Sequence, residues 1–330
     1  MLSFNPLNLN PIATVPHRSS LRFRANRFCT RVTTGFDSLS RRVALPVLAT
    51  AISIFGAFQP LRAQVLVPHT TELDPEQLEY IGLELLQDAD RWARFQQFAE
   101  AIPRAELASQ LLPKNAQVWA ILGSLYVETD RFDEGLTALL KARDIEPGNA
   151  AIRFALGSAY FRGKNYANTI TELQAGLNLM PNTPGALFDL GNAYFVTNQW
   201  EQAIANYEDA FSQDPEFWPA LNNIGLVRYE QGQIDRAIAE WESSTEIAPQ
   251  EAEPLLARAA ALYIQGDREV GIALAEEALR LDVRYADLEF LRENLWGEQL
   301  ISAVETLLTN PRLQAVIAQT EPPEPMFIRP

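Results

Sequence analysis

The chain has 330 residues and carries 27 basic against 42 acidic side chains, a net charge of −15. That sign excludes nucleic acid as the natural partner, because phosphates are met by Lys and Arg. One Cys (Cys29) and two His (His17, His69) leave the body of the chain without a Cys/His metal centre or a Cys–His or Ser–His nucleophile.

Residues 1–63 differ in composition from the remainder of the chain. They hold eight of the basic residues, all Arg, and one acid, Asp37, which leaves residues 64–330 with 19 basic and 41 acidic side chains and a net charge of −22. This asymmetry marks residues 1–63 as a targeting presequence. Ser, Thr and Arg dominate residues 14–42, as in an organelle transit peptide. Arg41 and Arg42 then precede an uncharged run, Val43 to Phe58, closed by Gln59-Pro60-Leu61-Arg62-Ala63. As a signal peptide the run has a cleavage edge at Ala63. As a retained anchor it falls short of the ~20 apolar residues a spanning helix needs, and Pro46 interrupts it. Retained, the run allows membrane association through residues 43–61. Both readings leave the Arg cluster on the side of synthesis, with residues 64–330 across the membrane. Residues 64–81 read as a linker and a leading helix that opens at Pro75.

From Gly82 onward one pattern recurs every 34 residues. Trp119, Leu122-Gly123, Tyr126, Leu139, Ala142 and Pro147 set it out. Leu156-Gly157, Tyr160, Leu173 and Pro181 repeat it, then Leu190-Gly191, Tyr194, Ala203, Tyr207, Ala210 and Pro215. Six copies starting at Gly82, Ala116, Ala150, Pro184, Trp218 and Ala252 tile residues 82–285 without an insertion. The sixth is worn, with Arg258-Ala259 for Leu-Gly and Val283 for the closing Pro. The pattern resembles the tetratricopeptide repeat family, W-x2-L-G-x2-Y, then A-x3-F, then P. The resemblance implies an all-α, right-handed solenoid of six helix-turn-helix repeats.

The residue types fit that expectation. Gly in mid-helix costs roughly 1 kcal/mol against Ala, so Gly123, Gly157, Gly191 and Gly225 at position 8 imply close approach of each first helix (A) to the second (B) of its repeat. Gly232 and Gly266 mark turns between A and B, and Pro113, Pro147, Pro181, Pro215 and Pro249 end the pairs. Pro103, inside the second helix of the first repeat, predicts a delayed start or a kink. Ala286 to Leu308 alternates polar and apolar residues at helical spacing, which suits a capping helix over the last repeat's open face, so residues 286–320 are expected to cap the solenoid. Residues 321–330, with Pro322, Pro323 and Pro325, read as a disordered tail.

No catalytic constellation emerges. Gly157 to Lys164 resembles a phosphate loop superficially, but five residues separate its glycines where four are needed, and Asn165 replaces Ser/Thr. Glu276-Glu277 suits a solvated acidic face. The expectation is a non-enzyme without metal or cofactor.

In the resembled family the concave groove is lined from helix A positions 2, 5, 6, 9, 12 and 13. Position 5 gives Phe154 and Phe188. Position 12 gives Phe161, Phe195, Tyr229 and Tyr263, a stripe spaced by 34, and Asn192, Asn222 and Asn223 add amides. One reading is a protein-binding groove for an apolar or aromatic peptide or helix; the other is that these rings complete the core. The chaperone-tail carboxylate clamp of some members is absent, because its basic places hold Phe188, Glu253 and Ala257. Presequence and acidic repeats together are similar to thylakoid assembly factors, which implies a scaffold assisting biogenesis of a photosynthetic membrane complex in the lumen or, alternatively, at the stromal face. A bacterial cell-envelope adaptor in the periplasm is the other expectation.

Overall fold

The computed structural model describes residues 74–320, and every regular element among them is helical. The expected targeting segment, most of the linker and the tail lie outside the described residues.

Twelve helices form six antiparallel pairs. They are α1 (Pro75–Arg94) with α2 (Phe98–Leu111), α3 (Ala116–Glu128) with α4 (Phe132–Ile145), and α5 (Ala150–Arg162) with α6 (Tyr166–Leu179). Then come α7 (Pro184–Val196) with α8 (Trp200–Gln213), α9 (Trp218–Glu230) with α10 (Ile234–Ile247), and α11 (Ala252–Gln265) with α12 (Arg268–Leu281). From the second pair on, each A helix opens on the residue where the 34-residue period starts a repeat. Local chemistry sets these starts. The side-chain oxygens of Asn115 and Asn149 accept from the N–H groups of Gln117 (2.9 Å) and Ala151 (3.1 Å). Pro184 and Pro219 occupy first-turn places that need no N–H. The delayed start expected from Pro103 does not occur: α2 begins in register at Phe98 with Pro103 inside it. Pro103 is exposed there, and the ring removes a single hydrogen bond, the one Ala99 would have accepted.

The glycines at position 8 are close approaches to position 24 of the same repeat. A Cβ on Gly123 would lie 2.7 Å from Leu139, on Gly157 2.6 Å from Leu173 and on Gly191 2.5 Å from the Tyr207 ring, and on Gly225 it would come closer still to Trp241 Nε1. Leu139, Leu173, Tyr207 and Trp241 are all fully buried. The first and sixth repeats lack the Gly and balance it: they carry Ala89 and Ala259 at position 8, and Ala105 and Ala275 at position 24, all buried. The sum of the two side chains is therefore shared between the helices differently in each repeat, as close packing requires. Arg228 and Arg258, where apolar residues are usual, pair with Glu240 (3.2 Å) and Glu242 (2.5 Å).

Each A–B turn places one residue in the left-handed region, always at position 15. These are Gln96, Asp130, Lys164 and Asn198 with φ of 57–60°, then Gly232 and Gly266 at 72° and 111°. An L-residue pays roughly 1–2 kcal/mol there, partly offset by the greater chain entropy Gly loses on folding. Lys164 is exposed. Lys164→Gly should therefore stabilise the fold by about 0.5–1 kcal/mol, read as a higher denaturant midpoint with an unchanged slope. A lower midpoint would mean that Lys164 makes contacts worth more than the strain.

Successive A helices approach one another (α1–α3, α3–α5, α5–α7 and α9–α11), and no two B helices come as close. The A side is thus the inner side of the stack. At its first repeat the stacking positions turn polar. Glu84, Asp88 and Arg91 stand where the next repeat has Val118, Leu122 and Leu125, and Asp88 pairs with Arg91 at 3.1 Å. After α12 come a 3-10 turn (Val283–Ala286), α13 (Leu288–Glu293), α14 (Glu298–Leu308) and α15 (Pro311–Thr320). The layout differs from a simple end cap. The 3-10 turn and α15 pack on α12, whereas α14 crosses the inner side against α11 and α9.

Candidate functional site

Among the described residues the inner side divides into a covered section, repeats five and six, and an open one, repeats one to four. Over repeats five and six it is covered by the chain itself. Leu300, Ile301, Val304 and Leu307 of α14 are buried in one apolar cluster with Leu226, Tyr229, Leu256 and Ala260 of α9 and α11. Two carboxylates hold the start of this covering segment. Glu230, at the end of α9, accepts from the N–H groups of Leu300 (3.1 Å) and Gln299 (3.5 Å). Glu253, at the start of α11, accepts from the Trp296 indole N–H (3.2 Å), Asn222 Nδ2 (3.1 Å) and the Tyr285 hydroxyl (3.2 Å). Burial pushes both carboxyls above the usual carboxylate range, against the pull of these donors.

Over repeats three and four no other described helix lies on the inner side. Here α5 and α7 present small and polar groups. Ser158 donates to Asp189 Oδ2 at 3.4 Å, and Asn192 stands one turn further along α7. Burial pushes the Asp189 carboxyl up to about 7, with the Ser158 hydroxyl pulling weakly the other way. In the unfolded chain the group titrates near 3.8. Folding therefore favours its protonated form, and this contribution is full below about pH 4 and is lost as pH rises through about 7. Asp189→Asn should flatten the decline in stability between pH 5 and pH 8, measured as urea midpoints at the two pH values. An unchanged decline would show a hydrated, ionised Asp189.

The expected groove residues separate on burial. Phe154, Phe188, Phe195 and Tyr229 are core side chains, between 1% and 8% exposed. Position 5 turns toward helix B, and at position 12 Tyr229 is buried beside Trp241 in the cluster that α14 covers. Phe154 lies against Gly176, Phe188 against Tyr207 and Phe217 (ring centroids 5.5 and 5.4 Å), and Tyr229 against Trp241 (5.9 Å). Of the four rings at position 12, Phe195 and Tyr229 are buried and Phe161 and Tyr263 half-buried. Phe161 packs edge-on to Tyr166 at 5.4 Å, and Tyr263 lies under the Arg268 guanidinium at 5.7 Å. The amides are also engaged. Asn192 Oδ1 accepts from the Tyr207 hydroxyl (2.7 Å) and Asn223 Nδ2 (2.9 Å), and Asn222 Nδ2 donates to Asn223 Oδ1 (3.1 Å). Asn222 and Asn223 are buried, and they carry one polar chain from repeat four to Glu253.

Sequence reasoning passed over Asp189, Ser158 and Trp296. The first two were findable as polar residues at inner positions 6 and 9. Nothing local distinguishes Trp296 from an ordinary apolar residue of an amphipathic helix.

On the other side, a cleft of about 580 Å³ lies among α2, α3 and α4, with Trp119, Tyr126 and Glu106 in its lining. Its aromatic faces are already met from within, by Lys141 Nζ 3.6 Å above Trp119 and by Arg131 above Tyr126 at 4.0 Å. Tyr126 donates to Glu106 at 2.7 Å, and burial, then that hydrogen bond, push its hydroxyl up to about 12. Among the described residues no group of His, Cys, Asp and Glu could hold a metal ion, and no helix is long and apolar enough to cross a membrane.

The sequence profile of the tetratricopeptide repeat matches residues 122–186 and 188–252. No curated protein matches the chain. Among solved structures, PilW, a type IV pilus biogenesis factor, is similar at 20% identity over 65% of this chain and 98% of that one, with a TM-score of 0.57. Pseudomonas aeruginosa PilF is similar at 15% identity over 66% and 99%, with a TM-score of 0.56. MamA shares 24% identity over 54% of this chain and 95% of its own, at a TM-score of 0.47.

Proposed function

Because the chain belongs to the tetratricopeptide repeat family, we propose that it is a non-catalytic scaffold that takes up a protein segment on the inner side of its A helices, over repeats three and four. One observation carries this reading: that section has no covering helix among the described residues and presents Ser158, Asp189 and Asn192 side by side. Phe161, half-buried at the edge of the same section, adds an aromatic contact. The composition of residues 1–63 supports export, and with it a role across a membrane in the assembly of a membrane protein complex.

The test is site-specific photocrosslinking in the native host, with the crosslinker at Phe161 or at Val196 on the inner side and at exposed Leu107 or Leu179 as outer-side controls. One defined adduct, formed from the inner positions and lost in Asp189→Lys, is expected. Adducts from the outer positions alone, or inner adducts indifferent to Asp189→Lys, would overturn the assignment.

A further inference from the structure

The inner side of repeats five and six is not an open surface, and how it is covered says what it fits. The cover, α14, is an amphipathic helix that adds nothing to the A–B pairing, since α9–α10 and α11–α12 pair with each other as every other repeat does. Its apolar residues Leu300, Ile301, Val304 and Leu307 lie along one stripe against α9 and α11. Its N-terminal end sits on the Glu230 carboxylate, the favourable place for a negative charge. Trp296, two residues before α14, anchors on Glu253.

Two features separate this contact from a permanent core. Docking of Trp296 and α14 partly desolvates both anchoring carboxylates, a penalty that apolar side chains at the same places would avoid. The joint itself needs nothing from α14: Leu295, with φ of 67°, is held by the end of α13, where the Trp296 N–H donates to the Leu291 carbonyl and the Leu295 N–H to the Arg292 carbonyl, both at 3.1 Å.

We infer that the inner side of repeats five and six is a helix-binding site held closed by the chain's own Trp296–Leu308, and that its partner in trans is an amphipathic helix with an aromatic residue just ahead of its first turn. The inference rests on the inner side being the binding side, and it adds the partner's form and its competition with a segment of the same chain. Gly297 shows how finely the closed contact is set: a Cβ there would overlap the Glu230 carboxyl carbon, so Gly297→Ala must push that carboxylate off the helix end.

The test uses a labelled synthetic peptide of residues 287–310 as the incoming helix, against the full chain and its Trp296→Ala and Gly297→Ala variants. The peptide should bind either variant at least ten-fold more tightly than the unaltered chain, with a scrambled peptide binding none. In native-state hydrogen exchange of the unaltered chain, α14 amides should exchange well before those of α9 to α12. Exchange of α14 only with the whole fold would overturn the inference. So would equal peptide affinity for all three chains, or no binding to variants whose repeats still melt cooperatively. Those failures leave the photocrosslinks at Phe161 and Val196 untouched, so the two proposals fall separately.

Discussion

Gly225→Ala should destabilise the protein by about 1–3 kcal/mol although it adds a single methyl group, because there is no space for it. The new Cβ would run into Trp241 Nε1 and lie within 2.8 Å of two further atoms of the indole. Trp241 cannot swing aside freely: it is fully buried, and its indole N–H donates to the Asn222 carbonyl at 3.1 Å. Trp241→Ala alone should cost about 3–5 kcal/mol, as large core deletions do. The informative variant is the double one. Gly225→Ala with Trp241→Ala recreates the Ala–Ala pairing of the first and sixth repeats, so it should be no less stable than Trp241→Ala alone. The expected double-mutant cycle is therefore strongly non-additive. Additive losses in chemical denaturation would show that positions 8 and 24 do not share one volume.

Glu172→Ala should be the largest charge effect, a loss of about 2–3 kcal/mol. Glu172 is buried between two arginines, with Arg153 Nη1 at 2.7 Å and Arg143 Nη1 at 3.1 Å. Removing it leaves two like charges side by side in a partly desolvated place. The arginine side chains remain 23% and 29% exposed, so water relieves part of that penalty and the loss falls short of a fully buried pair. Adding Arg153→Leu, which supplies the residue type of Leu187 and Leu221 at the same repeat position, should restore most of the stability. Urea midpoints check both steps, and a Glu172→Ala chain as stable as the unaltered one would show that the arginines are solvated independently of it.

The 34-residue period determined a great deal by itself. Helix starts at Ala116, Ala150, Pro184, Trp218 and Ala252 follow from it to the residue. The reason is that each repeat is a local unit: its caps, its Pro stop and its Gly contact all involve residues within one period. Close contact at Gly123, Gly157, Gly191 and Gly225 was legible for the same reason, since a mid-helix Gly has few other physical uses.

What a helical face meets was not legible. Phe195 and Tyr229 recur every 34 residues whether they face a groove or helix B, and only packing buries them, Tyr229 beside Trp241 and in one cluster with α14. Periodicity reports that a side is buried or open on average, and position 12 lies near the boundary between the two. The C-terminal helices show the limit more sharply. The alternation in residues 286–308 specifies an apolar stripe and therefore a burial, but an apolar stripe carries no address. Placing α14 on α9 and α11 instead of at the end of the stack depended on groups far apart in the chain: Glu230 meeting the N–H groups of Gln299 and Leu300, and Glu253 meeting Trp296. Those pairs are 43 to 70 residues apart in sequence and share no repeat register. Local chemistry thus set the repeats, and long-range packing chose which part of their inner side stays open.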